Sequence, residues 1–573
     1  MPRRVVISIL LTALAALAQP SRPPLPDAER TKWFREAKFG IFVHWGVYSV
    51  IGRHEWARNR FEIPQAEYDK YARSFNPVKF DANAWMDLFK GAGARYVVIT
   101  SKHHDGFSIY RSKVSNYDME ITPYKGDPLK MLAEAARKKD MRLGFYHSIM
   151  DWHHPDYIPK RDWEKPGQPK GGDIDKYIVY MKSQLRELLT EYGDIATIWF
   201  DGEWEHTDQE QHADEVFDMI RGLQPNTLIN DRIYKRQPGN RADFGTPEQF
   251  VPSTGMRDPS GKPILWESCV TINMDSWGYN KFETEFKTTR DLIRMLIEVV
   301  SKGGNLLLNV GPKPDGTIQP EFVTRLNAMG DWMRVNGESI YGTVASPFTR
   351  LPFFGRATAK GNTVYLHVFQ WPANRELRLP GLKNTVTSAH LLADPSRNLS
   401  SRRDGEDLVI SLPAEAPDEV ASVVAVTLDG APNVVPSAIR PDAKGVYSLG
   451  AEAAEIESKL GQRAGKENLL GHVYITHWSR KEDVPTWTIH VPAAGQYKVD
   501  VSYGSSTDTT GYEVSAAGHG VTGKFAKTAN PLVFRTDSAG AIALPAGDVT
   551  LKISADAKGA VNLEMVRLTP VGN

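Results

Sequence analysis

Seven short apolar runs between Phe39 and Val310, with amphipathic stretches between them, constrain this chain more than anything else in it. The runs are Phe39–His44, Tyr96–Lys102, Arg142–His147, Ile195–Asp201, Leu228–Asp231, Ile264–Val270 and Asn305–Val310. Helical patterns fill the gaps, at Ala82–Gly91, Pro128–Lys139, Asp175–Tyr192, Glu215–Leu223 and Lys287–Ser301. Strands that alternate with helices form parallel βαβ units, and a nearly continuous apolar run marks a strand covered on both faces. Seven strands favour a (β/α)8 barrel with one strand distorted or missed; a doubly wound open sheet is the alternative. The strand ends favour the barrel. His44-Trp45-Gly46, His103-His104-Asp105, Tyr146-His147, Asp201-Gly202-Glu203 and Asn230-Asp231-Arg232 each close a run. A barrel gathers such ends at one mouth, where its chemistry sits, whereas an open sheet spreads them along a line.

The pattern changes after Gly342. Thr363–Phe369, Glu376–Leu379, Leu408–Leu412 and Val423–Leu428 are short alternating runs with turn residues between them, as in an antiparallel β-sandwich. Asp429 to Lys444 is rich in Pro, Ala and Gly and reads as a linker. Trp487–Val491, Tyr497–Tyr503, Val549–Ile553 and Val561–Leu568 then mark a second β-rich unit. The expected order is a barrel over 19–345, a β-sandwich over 346–430, a linker over 431–444 and a C-terminal jelly-roll-like β-domain over 445–573.

Residues 1–18 have the form of an export signal. Arg3 and Arg4 precede the apolar run Val5–Leu17, and Ala16-Leu17-Ala18 fits a small-x-small cleavage site. That run is too short to span a bilayer comfortably, so an exported protein, periplasmic or extracellular, is expected. Lys plus Arg and Asp plus Glu both number 69, which argues against a nucleic-acid or anionic-membrane partner. Cys269 is the single cysteine, so no intrachain disulfide can form, and its apolar neighbours suggest a buried structural thiol.

Asp201 ends the run Ile195–Phe200. A carboxylate at the end of a buried strand is costly unless it is paired or used. Spacing alone leaves two readings open, a helix N-cap or a catalytic group. Five segments in order then resemble the α-L-fucosidases of glycoside hydrolase family 29: Phe39–Gly46 (FGIFVHWG), Lys102–Phe107 (KHHDGF), Trp199–Trp204 (WFDGEW), Asn230–Arg232 (NDR) and Ser276–Asn280 (SWGYN). The resemblance spans roughly Thr31 to Thr343. It implies a distorted (β/α)8 barrel with a following β-sandwich, and a retaining hydrolase acting on a fucosylated oligosaccharide or glycoconjugate without cofactor or metal.

By that resemblance Asp201 is the nucleophile. His44, His103 and His104 are sugar-binding histidines; a neutral imidazole both donates and accepts, which suits hydroxyl groups. Glu55 and Trp56 contact the sugar's hydroxyl edge, and Tyr146 and Arg232 position the nucleophile. Phe42, Trp199 and Trp277 form an apolar wall for the C5 methyl group of a 6-deoxy sugar. Adjacent strand residues point to opposite faces, so His103 and His104 are expected to face apart. Arg232 could instead pair with Asp231.

The acid/base is open between Glu248, in Thr246-Pro247-Glu248-Gln249, and Glu267, in the strand-like Trp266-Glu267-Ser268-Cys269. A general acid needs a loop that reaches the leaving oxygen, which favours Glu248; Glu203 is a weaker third. Two rival functions remain. A metal-dependent hydrolase would draw on His44, His103, His147, Asp201 and Glu248, although no tight ligand spacing links them. A glycan-binding protein without catalysis is the other. In the tail, Ala493–Val499 and Leu544–Leu551 loosely resemble strands of a jelly-roll carbohydrate-binding module, with Trp478 and Tyr503 either stacking on sugars or filling a core.

Overall fold

The computed structural model describes residues 23–572, apart from 162, 165–170, 237–238, 253, 459–463, 470–471 and 509. The expected export signal lies outside the described residues. All seven strands form: β1 Phe39–Val43, β2 Tyr96–Lys102, β3 Arg142–Ser148, β4 Thr197–Asp201, β5 Leu228–Ile229, β6 Glu267–Thr271 and β7 Asn305–Val310. They make one parallel, curled sheet in the order β5-β4-β3-β2-β1-β7-β6.

Alternate residues of these strands enter two different cores, as the period of two requires. Ile41, Val43, Val97, Ile99, Phe145, Ile198, Phe200, Ile229, Val270, Leu306 and Leu308 pack outward against helix residues such as Trp85, Leu132, Leu185, Ile220 and Leu296. Phe42, Tyr96, Val98, Tyr146, Trp199, Leu228, Cys269 and Leu307 pack inward against one another, and Phe34 joins them from the helix Lys32–Ala37. Gly40 is inward too. A Cβ there would stand 2.4 Å from the Tyr96 ring, so the glycine makes room for that phenol. Leu307→Ala would remove an inner plug and cost about 2–5 kcal/mol.

The outer helices start where the chain supplies a cap. Asp81, Asp127 and Asp173 accept hydrogen bonds from backbone N–H groups of the first turn, and Thr288 forms a capping box with Asp291. Asp201 does not act this way. It is followed by Gly202, at φ 83°, and a short 3-10 turn, Glu203–Glu205, that has no side-chain cap.

The two edges of the sheet, β5 and β6, are joined by residues 243–249. The Asp243 N–H donates to Ile229 O (2.8 Å) and the Asp231 N–H to Phe244 O (2.9 Å) on the β5 side. On the β6 side Gly245 donates to Leu265 O (2.9 Å), Glu267 to Gly245 O (3.0 Å), Cys269 to Pro247 O (3.1 Å) and Gln249 to Cys269 O (2.9 Å). Pro247 interrupts the segment because it has no N–H to give. The segment bridges the two edges of the curled sheet, and a proline-broken polar stretch gives no strand signal in sequence.

Beyond the parallel sheet, every sheet is antiparallel. A five-stranded and a three-stranded sheet, spanning Gly355–Leu428, share one core that includes Leu366, Leu377, Ile410 and Val426. A six-stranded and a five-stranded sheet, spanning Tyr447–Pro570, share another. The segment between them is pinned at both ends: Val435 N–H donates to Gly381 O and Ile439 N–H to Thr488 O. Trp478 and Tyr503 are fully buried in the last core, so neither forms a sugar-stacking surface. Among the described residues no helix is long and apolar enough to cross a membrane.

Candidate active site

The inward positions continue past the strands into a cavity of about 110 Å³. His44 stands two residues beyond Phe42, Asp201 two beyond Trp199, and Asn309 two beyond Leu307, so each presents to the interior face. Phe42, His44, Glu55, Trp56, His103, His104, Tyr146, Trp199, Asp201, Arg232, Glu248 and Trp277 all line this cavity, together with Trp204 and Cys269.

Asp201 lies at its centre. Arg232 Nη1 donates to Asp201 Oδ1 at 2.6 Å, and the Tyr146 hydroxyl donates to Oδ2 at 3.0 Å. His104 Nε2 stands 3.5 Å from Oδ2 and Arg236 Nη2 3.9 Å from Oδ1. Burial pushes the Asp201 carboxyl up, but the charge of Arg232 and its hydrogen bond outweigh that and hold the group at about 2. Asp201 is therefore an ionised carboxylate at any ordinary pH.

Arg232 serves both carboxylates. Its Nη2 donates to Glu248 Oε2 at 2.8 Å, its Nε to Thr246 Oγ1 at 3.0 Å, and its guanidinium sits 4.4 Å above the Trp199 ring. Asp231 is not its partner; that carboxylate accepts from the Thr246 hydroxyl at 2.6 Å. Glu248 keeps 36% of its side chain exposed at the rim, against 13% for Asp201.

Glu267 occupies a different place. It is fully buried, with Oε2 accepting from Tyr96 OH (2.6 Å) and Oε1 from Trp199 Nε1 (2.8 Å). Burial raises its carboxyl to about 7. It holds the indole of the wall from behind and does not line the cavity.

Three imidazoles face the cavity in neutral form. Burial lowers His44 to about 3, His104 to about 4, and His103 well below its ordinary value. Asn309 Nδ2 donates to Trp277 O (2.6 Å), which leaves its Oδ1 to accept from His44 Nδ1 (2.7 Å). His44 Nε2 is then an acceptor. Ser148 Oγ donates to Met150 O and so accepts from His104 Nδ1 at 2.6 Å. The His103 and His104 rings do not face apart, as strand geometry predicted; their centroids are 4.2 Å apart in one cavity. The reason is that β2 ends at Lys102 after a register shift near Ser101, so both residues sit in a turn rather than a strand. Glu55 Oε2 accepts from the Trp277 and Gly278 N–H groups at 2.9 and 3.0 Å, fixing the loop that carries Trp277.

The residues of a metal reading do not gather into a metal-holding group. His147 is absent from the cavity lining, with Nδ1 at 2.9 Å from Ser101 Oγ, and no metal-holding group of three His, Cys, Asp or Glu exists among the described residues.

The profile of a family described as Alpha-L-fucosidase matches residues 12–338. The chain belongs to the α-L-fucosidase family, glycoside hydrolase family 29. It is 32% identical to the tissue α-L-fucosidase of Homo sapiens, over 74% of this chain and 96% of that protein. Among solved α-L-fucosidases, isoenzyme 1 from Paenibacillus thiaminolyticus is 39% identical with a TM-score of 0.67, over 70% of this chain and 99% of that one. The Vibrio sp. strain EJY3 enzyme is 26% identical with a TM-score of 0.75, and covers 95% of this chain and 98% of its own. At 95% of the chain, its likeness reaches into the C-terminal sheets.

As an α-L-fucosidase the chain acts on fucosylated glycans, and its site uses residues that the sequence reading did not single out. Asn309 sets the His44 tautomer; the signal was an amide inside the run Leu306–Val310. Trp204, 45% exposed, stacks on Trp56 at the cavity mouth with centroids 6.3 Å apart and ring planes 18° from parallel. It lies inside a recognised segment, yet nothing in that segment says which way the indole turns.

Proposed function

We propose that this α-L-fucosidase is exo-acting and removes terminal α-L-fucose by a retaining double displacement. Asp201 attacks the anomeric carbon as Glu248 protonates the departing glycosidic oxygen, giving a fucosyl ester on Asp201. Glu248 then takes a proton from water, the water oxygen bonds to the same carbon, and the ester bond breaks. The observation that carries this is the guanidinium of Arg232, which grips Asp201 and Glu248 together at the rim of one cavity. Carboxyl groups sharing one such planar group are close neighbours, as the retaining geometry of about 5–5.5 Å requires. Glu248 at the exposed rim suits a leaving group pointing outward, whereas both oxygens of Glu267 are occupied behind the wall. His44, His103, His104, Glu55 and Trp56 would hold the sugar's hydroxyl groups, and Phe42, Trp199 and Trp277 its C5 methyl.

In this reading the parallel sheet and its bridging segment form a distorted (β/α)8 barrel. A β-sandwich over 346–430 and a jelly-roll-like module over 445–573 follow it. The amino-terminal Arg3–Ala18 pattern supports export, and amino-terminal sequencing of the secreted protein should find it cut after Ala18. Product stereochemistry decides the mechanism. Proton NMR during early turnover should show α-L-fucose first, and Asp201→Ala should lose about 10⁴-fold or more in turnover of an aryl α-L-fucoside. Initial release of the β-anomer would sink the double displacement.

A further inference from the structure

A second cavity, about 430 Å³, opens between the Gly355–Leu428 sheets and the Tyr447–Pro570 sheets. By the same measure it is roughly four times the size of the active-site cavity and falls within the common range for ligand pockets. Trp371 and Glu376 stand on one wall, and Ser448, His472 and Glu564 on the other.

The walls are held in place. Trp371 is half-buried against the core beneath it, and its Nε1 donates to Pro413 O at 2.9 Å, which fixes the indole. Glu564 accepts from Ser502 Oγ at 2.6 Å, and its other oxygen lies 2.5 Å from His472 Nδ1. The His472 ring stacks on Phe534, with centroids 5.5 Å apart and planes at 21°. An Asn468–Gln370 hydrogen bond links the two units beside the cleft.

Two charge pairs stand at the cleft, Glu376 with Arg402 at 2.6 Å and Arg378 with Asp404; Glu564 accepts from His472 and Ser502, and Glu452 adds a further carboxylate. An anionic ligand would face these carboxylates and would have to break a pair to reach Arg378, leaving the other charge stranded. An uncharged polyol would not. Paired carboxylates still have lone pairs for hydroxyl groups, and the fixed indole offers an apolar face for sugar C–H groups.

We propose that this cleft binds a neutral oligosaccharide, a second glycan site separate from the barrel cavity. The proposal rests on the family's action on glycans and not on the roles given to Asp201 and Glu248. A branch held here raises the effective concentration of fucosyl ends at the barrel mouth, a gain available only on large or multivalent substrates.

The test uses the full chain with the barrel cavity saturated by an L-fuco-configured iminocyclitol. Titration calorimetry with short, fucose-free, neutral oligosaccharides of the galacto, gluco, manno and N-acetyllactosamine series should find one with a single site per chain. Trp371→Ala and His472→Ala should each weaken that binding about tenfold, comparable to losing one stacking or buried polar contact. A sulfated form of the same sugar should bind at least tenfold more weakly. Both variants should turn over an aryl α-L-fucoside within about twofold of the parent, since the substitutions lie outside the barrel. They should lose rate only on a multivalent glycoprotein. His472 is on the exposed surface, so its variant reports even if Trp371→Ala does not fold. No binding by any series with the barrel blocked, or binding unchanged in His472→Ala, overturns the proposal.

Discussion

The two halves of the barrel mouth are built differently. On the β1, β2, β3 and β7 side the strands run for five to seven residues, with ladders broken only by the shift near Ser101, and they or the turns at their ends carry His44, His103, His104 and Tyr146. Every one of these is uncharged, and His44 and His104 are each set by one fixed partner. On the other side β5 is two residues long, a 3-10 turn follows, and Pro247 breaks the bridging segment. That half carries Arg232 and Glu248. The difference has a physical basis. A continuous ladder uses up its backbone groups, so it can aim side chains but cannot solvate a charge. The broken ladder leaves Thr246 O free to accept from Arg232 Nη2 at 3.3 Å, alongside the Thr246 hydroxyl. The regular half shapes the uncharged part of the cavity, and the irregular half pays for a buried cation.

Several substitutions break that contrast, in falling order of effect. Glu248→Ala should cost about 10²–10⁴-fold in turnover of a fucosyl disaccharide, a poor leaving group, and far less with a nitrophenyl fucoside. Equal losses on both substrates would move the acid role elsewhere. Arg232→Lys keeps the charge but cannot reach both carboxylates, so kcat should fall about 10²-fold with the fold retained. Turnover close to the parent's would mean that the shared guanidinium is not needed. Trp204→Ala should change kcat/KM by only a few fold, corresponding to about 0.5–1.5 kcal/mol, and only where the leaving group is a sugar large enough to touch it. Glu267→Gln is the control from behind the wall. Its carboxyl stands at about 7 in the fold against an ordinary 4.5. The native state thus binds the extra proton, and the stability it contributes is complete below 4.5 and lost as pH rises through about 7. Calorimetry should show Tm falling over that window in the parent and less steeply in E267Q, while aryl fucoside turnover changes little.

The regular half was legible in the sequence because buried parallel strands write themselves as apolar runs. The bridging segment was not, since Pro247 and the polar residues around it resemble any loop. Asp201 was an even choice between cap and catalyst until the ordered segments were considered. The structure adds a physical distinction: Asp81, Asp127 and Asp173 turn back onto their helices, whereas Asp201 turns to Arg232 and Tyr146. His103 and His104 were misplaced because a period of two was carried one step beyond the end of β2. Trp478 and Tyr503 illustrate the opposite limit. An aromatic on a strand looks the same in sequence whether its face meets solvent or a core, and here the core takes both.

The three neutral imidazoles have a consequence for where such an enzyme can work. Their proton affinities lie so low that none gains a charge anywhere between mild acid and mild alkali. The imidazoles therefore supply no ionic switch in that range, whereas the Glu55 carboxyl, which burial raises to about 7, does titrate within it. Acidification through about 7 protonates Glu55, whose Oε2 holds the Trp277 loop, so any change of KM with pH should centre there and owe nothing to the imidazoles. A protein built this way keeps its imidazole contacts constant in a drifting environment and lets a buried carboxyl register the change.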